Sequence, residues 1–236
     1  MCGIAGFVND MPIDVKCPVL QRMTDMIAHR GPDSEGHYID EHAALGHRRL
    51  SIIDLGGGQQ PIYNEDGSKV ITFNGEIYNY QTLREELIAA GHTFTTKSDT
   101  EVLLHGYEQW GVDLLQRVRG MFTFVIWDKN KQELFGARDH FGIKPFYYAK
   151  MNGTFMYASE IKSLLRHPDF VKELNAEALK PYMTFQYPAI GETFFKGVYK
   201  LPEGHYFTYR DGKMDIHRYY DEDFREGKQK LGELVN

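Results

Sequence analysis

The sequence has only two cysteines, Cys2 and Cys17, among 236 residues. Two cysteines cannot form a disulfide framework, which indicates a protein of a reducing compartment. No apolar run approaches the roughly 20 residues of a membrane-spanning helix, and the N-terminus shows no signal-peptide pattern. We therefore expect a cytoplasmic protein with no membrane partner.

Basic clusters and metal-binding spacings are also lacking. The 27 basic and 33 acidic residues are mixed along the chain and give a net charge of −6, which argues against a nucleic-acid partner. The ten histidines show no HxxxH spacing and the cysteines no CxxC spacing, so we predict no metal in this segment. GGGQQP lacks the lysine of a phosphate-binding P-loop, and no G-x-S-x-G marks a nucleophilic serine.

Residues that build a core are, in contrast, plentiful. Hydrophobic residues make up 42% of the chain and include fifteen Tyr and fifteen Phe, enough for one large domain or two small ones. Short apolar strands and three hairpins, with turns at DKNKQ, MNG and Asp211-Gly212, alternate with a few amphipathic helices. This pattern favours an α+β fold of two packed sheets with helices outside.

Cys2 is the first candidate for chemistry. Once the initiator Met1 is removed, its thiol and its own α-amino group lie on one residue. An α-amino group has a pKa of about 7.7–8.0, which suits a base that activates a thiol of pKa about 8.5. The alternative interpretation is a small hydrophobic side chain on the first strand, and position alone does not decide between the two.

Three further motifs each allow a functional and a structural interpretation. In FNGEIYN a predicted strand ends at Asn74-Gly75, which supplies either an oxyanion hole or a plain hairpin turn. In HRRLSIID, Arg48 and Arg49 provide either a clamp for a carboxylate or surface ion pairs. In SDTEV, Asp99 either caps a helix or, together with Glu76, binds an ammonium group.

The motifs gain specificity from their common order along the chain. The sequence contains, in register, MCGIAGF, HRGPD, RLSIID, GGGQQP, FNGEIYN, SDTEV, RGMFTFVIWD, RDHFGIKPFYY and ASEIKSLL. This set closely resembles the glutaminase half of glutamine-hydrolysing asparagine synthetases, which are class II (N-terminal nucleophile) glutamine amidotransferases. Glucosamine-6-phosphate synthases and amidophosphoribosyltransferases share the Cys start and the Asn-Gly element, but RGPD, RLSIID with QQP, and NGEIYN resemble the asparagine synthetase branch.

The resemblance implies a fold, a reaction and a role for each site residue. The fold would be a four-layer αββα sandwich of two mostly antiparallel sheets. The reaction would convert L-glutamine to glutamate and ammonia through a γ-glutamyl thioester. The roles fall into three groups: Cys2 would be the nucleophile, Asn74 and Gly75 the oxyanion hole, and the glutamine would be bound by Arg49, Leu50, Ile52, Ile53, Glu76 and Asp99.

The resemblance also implies a longer assembly. Residues 1–220 would form the amidotransferase domain, and the charged residues 221–236 would lead to a C-terminal synthetase domain that this sequence does not contain. ATP and Mg²⁺ would bind there, so we expect no cofactor in this segment. The acceptor of ammonia would be aspartate; a stand-alone or silent glutamine-binding module that serves another acceptor is the alternative. The resemblance leaves a homodimer open.

Overall fold

The computed structural model describes residues 2–51, 58–187 and 191–222 of the chain. Within these residues the strands are β1 Gly3–Val8, β2 Ser34–Ile39, β3 Ala43–Arg49, β4 Ile62–Tyr63, β5 Lys69–Ile77, β6 Gly120–Asp128, β7 Glu133–Arg138, β8 Tyr147–Met151, β9 Thr154–Ala158, β10 Val198–Lys200, β11 His205–Arg210 and β12 Lys213–Arg218. The α-helices are α1 Ile13–Asp25, α2 Tyr80–Ala89, α3 Asp99–Trp110, α4 Leu114–Arg117, α5 Ile161–Leu164 and α6 Ala176–Phe185. Short 3₁₀ turns cover Ala28–Arg30 and Gly111–Asp113.

The described strands form two six-stranded sheets. The first sheet has the order β10-β8-β9-β1-β3-β2 and the second the order β12-β11-β7-β6-β5-β4. Neighbouring strands pair antiparallel in both sheets. The amino-terminal strand β1 is central in the first sheet, and β5 and β6 lie side by side in the second.

Alternating side chains build the layers, since successive residues of a strand point to opposite faces. One buried cluster fills the space between the sheets and includes Ile4, Leu45, Phe155 and Tyr157 from the first sheet and Val70, Val125, Trp127 and Phe207 from the second. The outer face of the first sheet packs against α1 and α5, and that of the second against α2 and α3. The layers therefore run helix, sheet, sheet, helix, and the predicted αββα sandwich is confirmed.

The hairpin turns follow from their residues. Asn152 and Gly153 join β8 to β9 with φ values of 49° and 82°, and Asp211 and Gly212 join β11 to β12 with 51° and 72°. Two consecutive residues with positive φ are what a type I′ hairpin turn requires, and Asn-Gly and Asp-Gly are the pairs that adopt it most readily. None of the described helices combines the length and the apolar character needed to cross a bilayer.

Candidate active site

Cys2 lies immediately before β1, beside the end of β3. The pairing of these two strands sets Gly3 opposite Arg48, so Cys2 comes to rest against Leu50. The Leu50 backbone N–H donates to Cys2 Sγ at 3.4 Å, and the Leu50 carbonyl lies 3.6 Å from the same sulfur. Arg30 Nε donates to the Cys2 carbonyl at 3.0 Å. The thiol is half-buried, and both its backbone and its sulfur are held in place.

Opposing effects act on the Cys2 thiol. Burial is the largest and raises its pKa, while the hydrogen bond from Leu50 and the positive charges of Arg49 and Lys144 act in the opposite direction; the net result is a raised pKa. A thiol in this state needs a base before it can attack a substrate, because the thiolate is the nucleophilic form. The α-amino group of a processed N-terminus is the base that the sequence suggests.

Asn74 and Gly75 lie within a strand. β5 continues to Ile77, two residues beyond the Asn74-Gly75 pair at which the sequence predicts its end, with Asn74 opposite Thr123 and Gly75 opposite Phe122. A Cβ on Gly75 would lie 2.3 Å from the Met121 carbonyl oxygen, so only glycine permits this close strand pairing. The hairpin-turn interpretation of this Asn-Gly pair is therefore wrong.

The Asn74 carboxamide is buried and has no hydrogen-bond partner among the described residues. Its side chain is 1% exposed, and neither Oδ1 nor Nδ2 makes a hydrogen bond within the described part of the chain. A buried polar group left in this state costs about 1–3 kcal/mol of stability. It lines the same cavity, of about 120 Å³, as Cys2. An unpaired buried amide that faces a cavity is poised for a ligand.

Arg48 and Arg49, adjacent at the end of β3, make different contacts. Arg48 forms ion pairs with Asp25 and Glu35, at 2.5 and 2.6 Å, on one side of the sheet. Arg49 points the other way, is 7% exposed and lines the cavity. Gly58 leaves room for it, since a Cβ there would lie 2.9 Å from Arg49 Nη2. The structural interpretation thus holds for Arg48, while Arg49 supplies positive charge to the cavity.

Two acidic residues, Glu76 and Asp99, also line the cavity. Asp99 is the first residue of α3, but Ser98 provides the cap, because its Oγ accepts from Thr100 N at 3.2 Å. Asp99 is 5% exposed, and its Oδ2 accepts from Ile77 N at 2.9 Å. Burial, and then the charge of Glu76, raise the pKa of Asp99. Glu76 and Asp99 therefore place two carboxyl groups at the cavity, near enough for the charge of Glu76 to act on Asp99.

Lys144 also lines this cavity, and the sequence did not single it out. It is 4% exposed, and burial and then the charge of Arg30 lower the pKa of its ammonium group, while Cys2 acts to raise it. Asp139 fixes the loop that carries it by accepting from the backbone N–H groups of Phe122, Phe141, Ile143 and Lys144, at 2.9–3.2 Å. The only signal in the sequence is the RDHFGIKPFYY motif itself.

Most of the predicted site residues thus line one cavity. Seven of the nine predicted residues line it, namely Cys2, Arg49, Leu50, Asn74, Gly75, Glu76 and Asp99. Ile52 and Ile53 lie outside the described residues. The arrangement offers a nucleophile, an unpaired amide, a cation and an anionic pair to one small ligand.

The fold is that of the N-terminal nucleophile amidotransferases. The chain superimposes on glutamine phosphoribosylpyrophosphate amidotransferase from B. subtilis with a TM-score of 0.67 at 17% identity, covering 94% of this chain and 50% of that one. A second similar structure is an allosteric regulatory enzyme of purine biosynthesis, with a TM-score of 0.66 and 19% identity over the same shares of the two chains.

The sequence comparisons define the family. A model of the glutamine amidotransferase domain matches residues 1–220, and the chain belongs to this family, as an enzyme domain of class II. It is 45% identical over 239 residues to asparagine synthetase [glutamine-hydrolyzing] 1 of Bacillus subtilis (strain 168), covering 100% of this chain and 38% of the relative. It is 37% identical over 240 residues to amidase chry2 of Gibberella zeae, covering 94% and 34%. The chain spans little more than a third of these relatives.

Lys144→Met tests the electrostatic contact with Cys2. Without the ammonium group the thiolate is less favoured, so we expect alkylation of Cys2 by iodoacetamide at pH 7 to slow by roughly threefold to tenfold. The pH profile of alkylation should move to higher pH. Lys144→Arg should retain the wild-type profile, and Lys131→Met, which removes an exposed lysine paired with Asp128, serves as the control. Unchanged alkylation in Lys144→Met would remove Lys144 from this role.

Proposed function

We propose that this chain hydrolyses L-glutamine to glutamate and ammonia, with Cys2 as the nucleophile. The observation that carries the proposal is the unpaired, buried Asn74 carboxamide in the cavity that also contains the Cys2 thiol. An acyl-transfer site needs a hydrogen-bond donor aimed at the place where negative charge develops. The membership of the amidotransferase family supports the choice of glutamine as the acyl donor.

The proposed reaction has two steps. With Met1 removed, the Cys2 α-amino group takes the thiol proton, and the thiolate attacks the carboxamide carbon of glutamine. The carbon–nitrogen bond breaks, the leaving nitrogen takes the proton, and ammonia departs from a γ-glutamyl thioester. Water then attacks the thioester carbon, releases glutamate and returns the proton to the sulfur. Asn74 Nδ2 and the Gly75 N–H stabilise the oxyanion in both steps.

The charged groups of the cavity match the other end of glutamine. The guanidinium of Arg49 presents donors suited to the α-carboxylate. In this proposal the carboxylates of Glu76 and Asp99 accept from the α-ammonium, and the bound cation relieves the repulsion that raises the pKa of Asp99. Leu50 completes the wall next to the sulfur. One cation and two anions thus complement a zwitterion whose carboxamide reaches Cys2.

We further propose that the ammonia serves ATP-dependent amidation of aspartate to asparagine. The support is the similarity to glutamine-hydrolysing asparagine synthetases at 38–45% identity. In this proposal the acceptor chemistry, with its ATP and Mg²⁺, belongs to a synthetase domain outside these residues. The similarity to two fungal amidases, at 37% identity each, favours as second candidate an ammonia donor for a different acceptor.

Cys2→Ala tests the proposed nucleophile. We expect ammonia and glutamate release from glutamine to fall below detection, because no other described thiol lines the cavity. Cys17→Ala, which removes an exposed thiol on α1, should keep full activity. Intact mass of the active wild-type chain should show the loss of Met1. Appreciable turnover by Cys2→Ala would contradict the proposal.

Asn74→Ala separates a catalytic from a structural role. We expect kcat to fall by about 10²–10³, the usual cost of one lost oxyanion donor. The melting temperature should stay the same or rise, because the side chain that is removed makes no hydrogen bond within the described residues. Asn130→Ala in the exposed β6–β7 loop is the control and should leave both quantities unchanged. A large loss of stability with wild-type kcat would overturn the oxyanion assignment.

Arg49→Lys tests recognition of the α-carboxylate. A lysine keeps the charge but cannot form two parallel hydrogen bonds, so we expect KM for glutamine to rise roughly 10- to 100-fold, with a smaller effect on kcat. The neighbouring Arg48→Lys is the matched control, because Arg48 pairs with Asp25 and Glu35 on the other face. Steady-state kinetics of the two variants decide the matter, and equal effects on KM would contradict the assignment.

A further inference from the structure

A second group of ligand-type side chains lies on the outer side of the second sheet. Glu65 follows β4, His92 lies in the loop between α2 and α3, and His105 and Glu108 lie one turn apart on α3. Each offers one nitrogen or oxygen atom, and these four atoms lie within 4.8 Å of one another. We call these four residues the His92/His105 cluster. From its geometry we propose that it binds one zinc ion.

Three pairs of ligand-type atoms in the cluster are already spaced about as in a zinc site. Both histidines present Nδ1 to the Glu65 carboxylate, at 3.5 Å for His92 and 3.3 Å for His105. His105 Nδ1 lies 3.2 Å from Glu108 Oε2. Bonds of about 2.0–2.1 Å in a tetrahedron place neighbouring ligand atoms about 3.3–3.4 Å apart. Small side-chain movements therefore suffice to enclose the ion.

An outer contact holds the His92 ring in the orientation that a metal ligand needs, and burial confines the His105 ring. A ligating histidine normally donates its other ring N–H to an oxygen, which fixes the ring and its tautomer. His92 Nε2 lies 3.1 Å from Gln109 Oε1, and His105 Nε2 lies 3.5 Å from Glu101 Oε1. His105 is 1% exposed, and its Nε2 makes no regular hydrogen bond within the described part of the chain. Both Nδ1 atoms face the Glu65 carboxylate.

The carboxylates are supported in the same way. Glu65 Oε1 accepts from the Thr93 backbone N–H at 3.0 Å. Glu108 Oε1 accepts from Asn64 Nδ2 at 2.6 Å, which leaves Oε2 directed at the histidines. Lys69 Nζ lies 3.6 Å from Glu108 Oε1, the oxygen that also accepts from Asn64. Both carboxylates thus have one oxygen engaged by the protein while the group as a whole faces the ligand atoms.

The ligand atoms of the His92/His105 cluster favour one class of metal ion. Two imidazoles and two carboxylates suit zinc and similar first-row ions, whereas Mg²⁺ and Ca²⁺ prefer oxygen donors alone. The proposal departs from the prediction of no metal, which relied on short spacings such as HxxxH. Here the ligands come from three separate segments that only the fold brings together. The ion would join the β4–β5 turn, the α2–α3 loop and α3.

Metal titration of the untagged, chelator-treated chain tests the proposal. We expect one Zn²⁺ per chain and a rise in melting temperature on binding, since a ligand that binds the folded state stabilises it. Co²⁺, used as a spectroscopic probe, should give the visible absorption of a tetrahedral site without a thiolate-to-cobalt charge-transfer band. That band would instead report binding at Cys2 or Cys17 and would overturn the assignment.

Variants locate the binding. His92→Ala removes a ligand from a loop and should weaken zinc affinity more than about tenfold, the lower end of the cost of losing even an outer-shell partner. Glu65→Gln keeps the side-chain shape and its contact with Thr93, so it provides a second test should His92→Ala fold poorly. His42→Ala, which removes a histidine paired only with Asp10 among the described contacts, is the matched control and should bind like wild type. Wild-type affinity in both cluster variants, or no saturable binding by the parent chain, would refute the proposal.

Discussion

The antiparallel pairing of β1 with β3 is the contact on which the candidate active site depends. It sets Gly3 opposite Arg48 and so brings Cys2, one residue before β1, against Leu50 beyond the end of β3. A slip of one residue would turn every side chain of β1 to the opposite face of the sheet. Arg30 opposes such a slip by holding the Cys2 carbonyl. The position of the thiol is therefore a property of strand register, secured by the alternating core on both faces of β1.

Buried polar contacts then fix the second sheet relative to the first at this point. His47 of β3 donates from Nε2 to the Phe73 carbonyl at 3.0 Å; burial lowers its pKa to about 3, so the ring is neutral. Gln60 accepts from the Phe73 N–H at 2.6 Å and donates to Thr100 at 3.2 Å. Both backbone groups of Phe73 are thus engaged, directly before Asn74. The unpaired carboxamide is held on a rigid strand, which is the condition for a preorganised oxyanion site.

The sequence predicted what depends on local pattern and missed what depends on contacts between distant segments. Alternating apolar residues and Asn-Gly or Asp-Gly turns predicted the sheets and their hairpins, because period and turn chemistry are local properties. The pair Asn74-Gly75 stayed ambiguous because the feature that demands glycine, the Met121 carbonyl, belongs to another strand. Lys144 was not predicted as a site residue for the same reason. Its position at the cavity depends on Asp139, which holds the loop that carries Lys144. The order of the motifs resolved the rest, because it resembled a family whose members share one site.

Helix α3 connects the two sites discussed above. Its first residue, Asp99, faces the active-site cavity, and His105 lies about 9 Å further along at the rise of about 1.5 Å per residue. Residues Asp99–Tyr107 are buried, so most of the helix is packed against the rest of the protein. Each site gathers carboxylates, Glu76 with Asp99 at one and Glu65 with Glu108 at the other. At the first site the charge of Glu76 helps to raise the pKa of Asp99, and a bound cation relieves that repulsion. In the proposed states a substrate ammonium occupies the first site and zinc the second. The two proposed sites therefore draw on the same helix, because α3 supplies Asp99 to the first and His105 and Glu108 to the second.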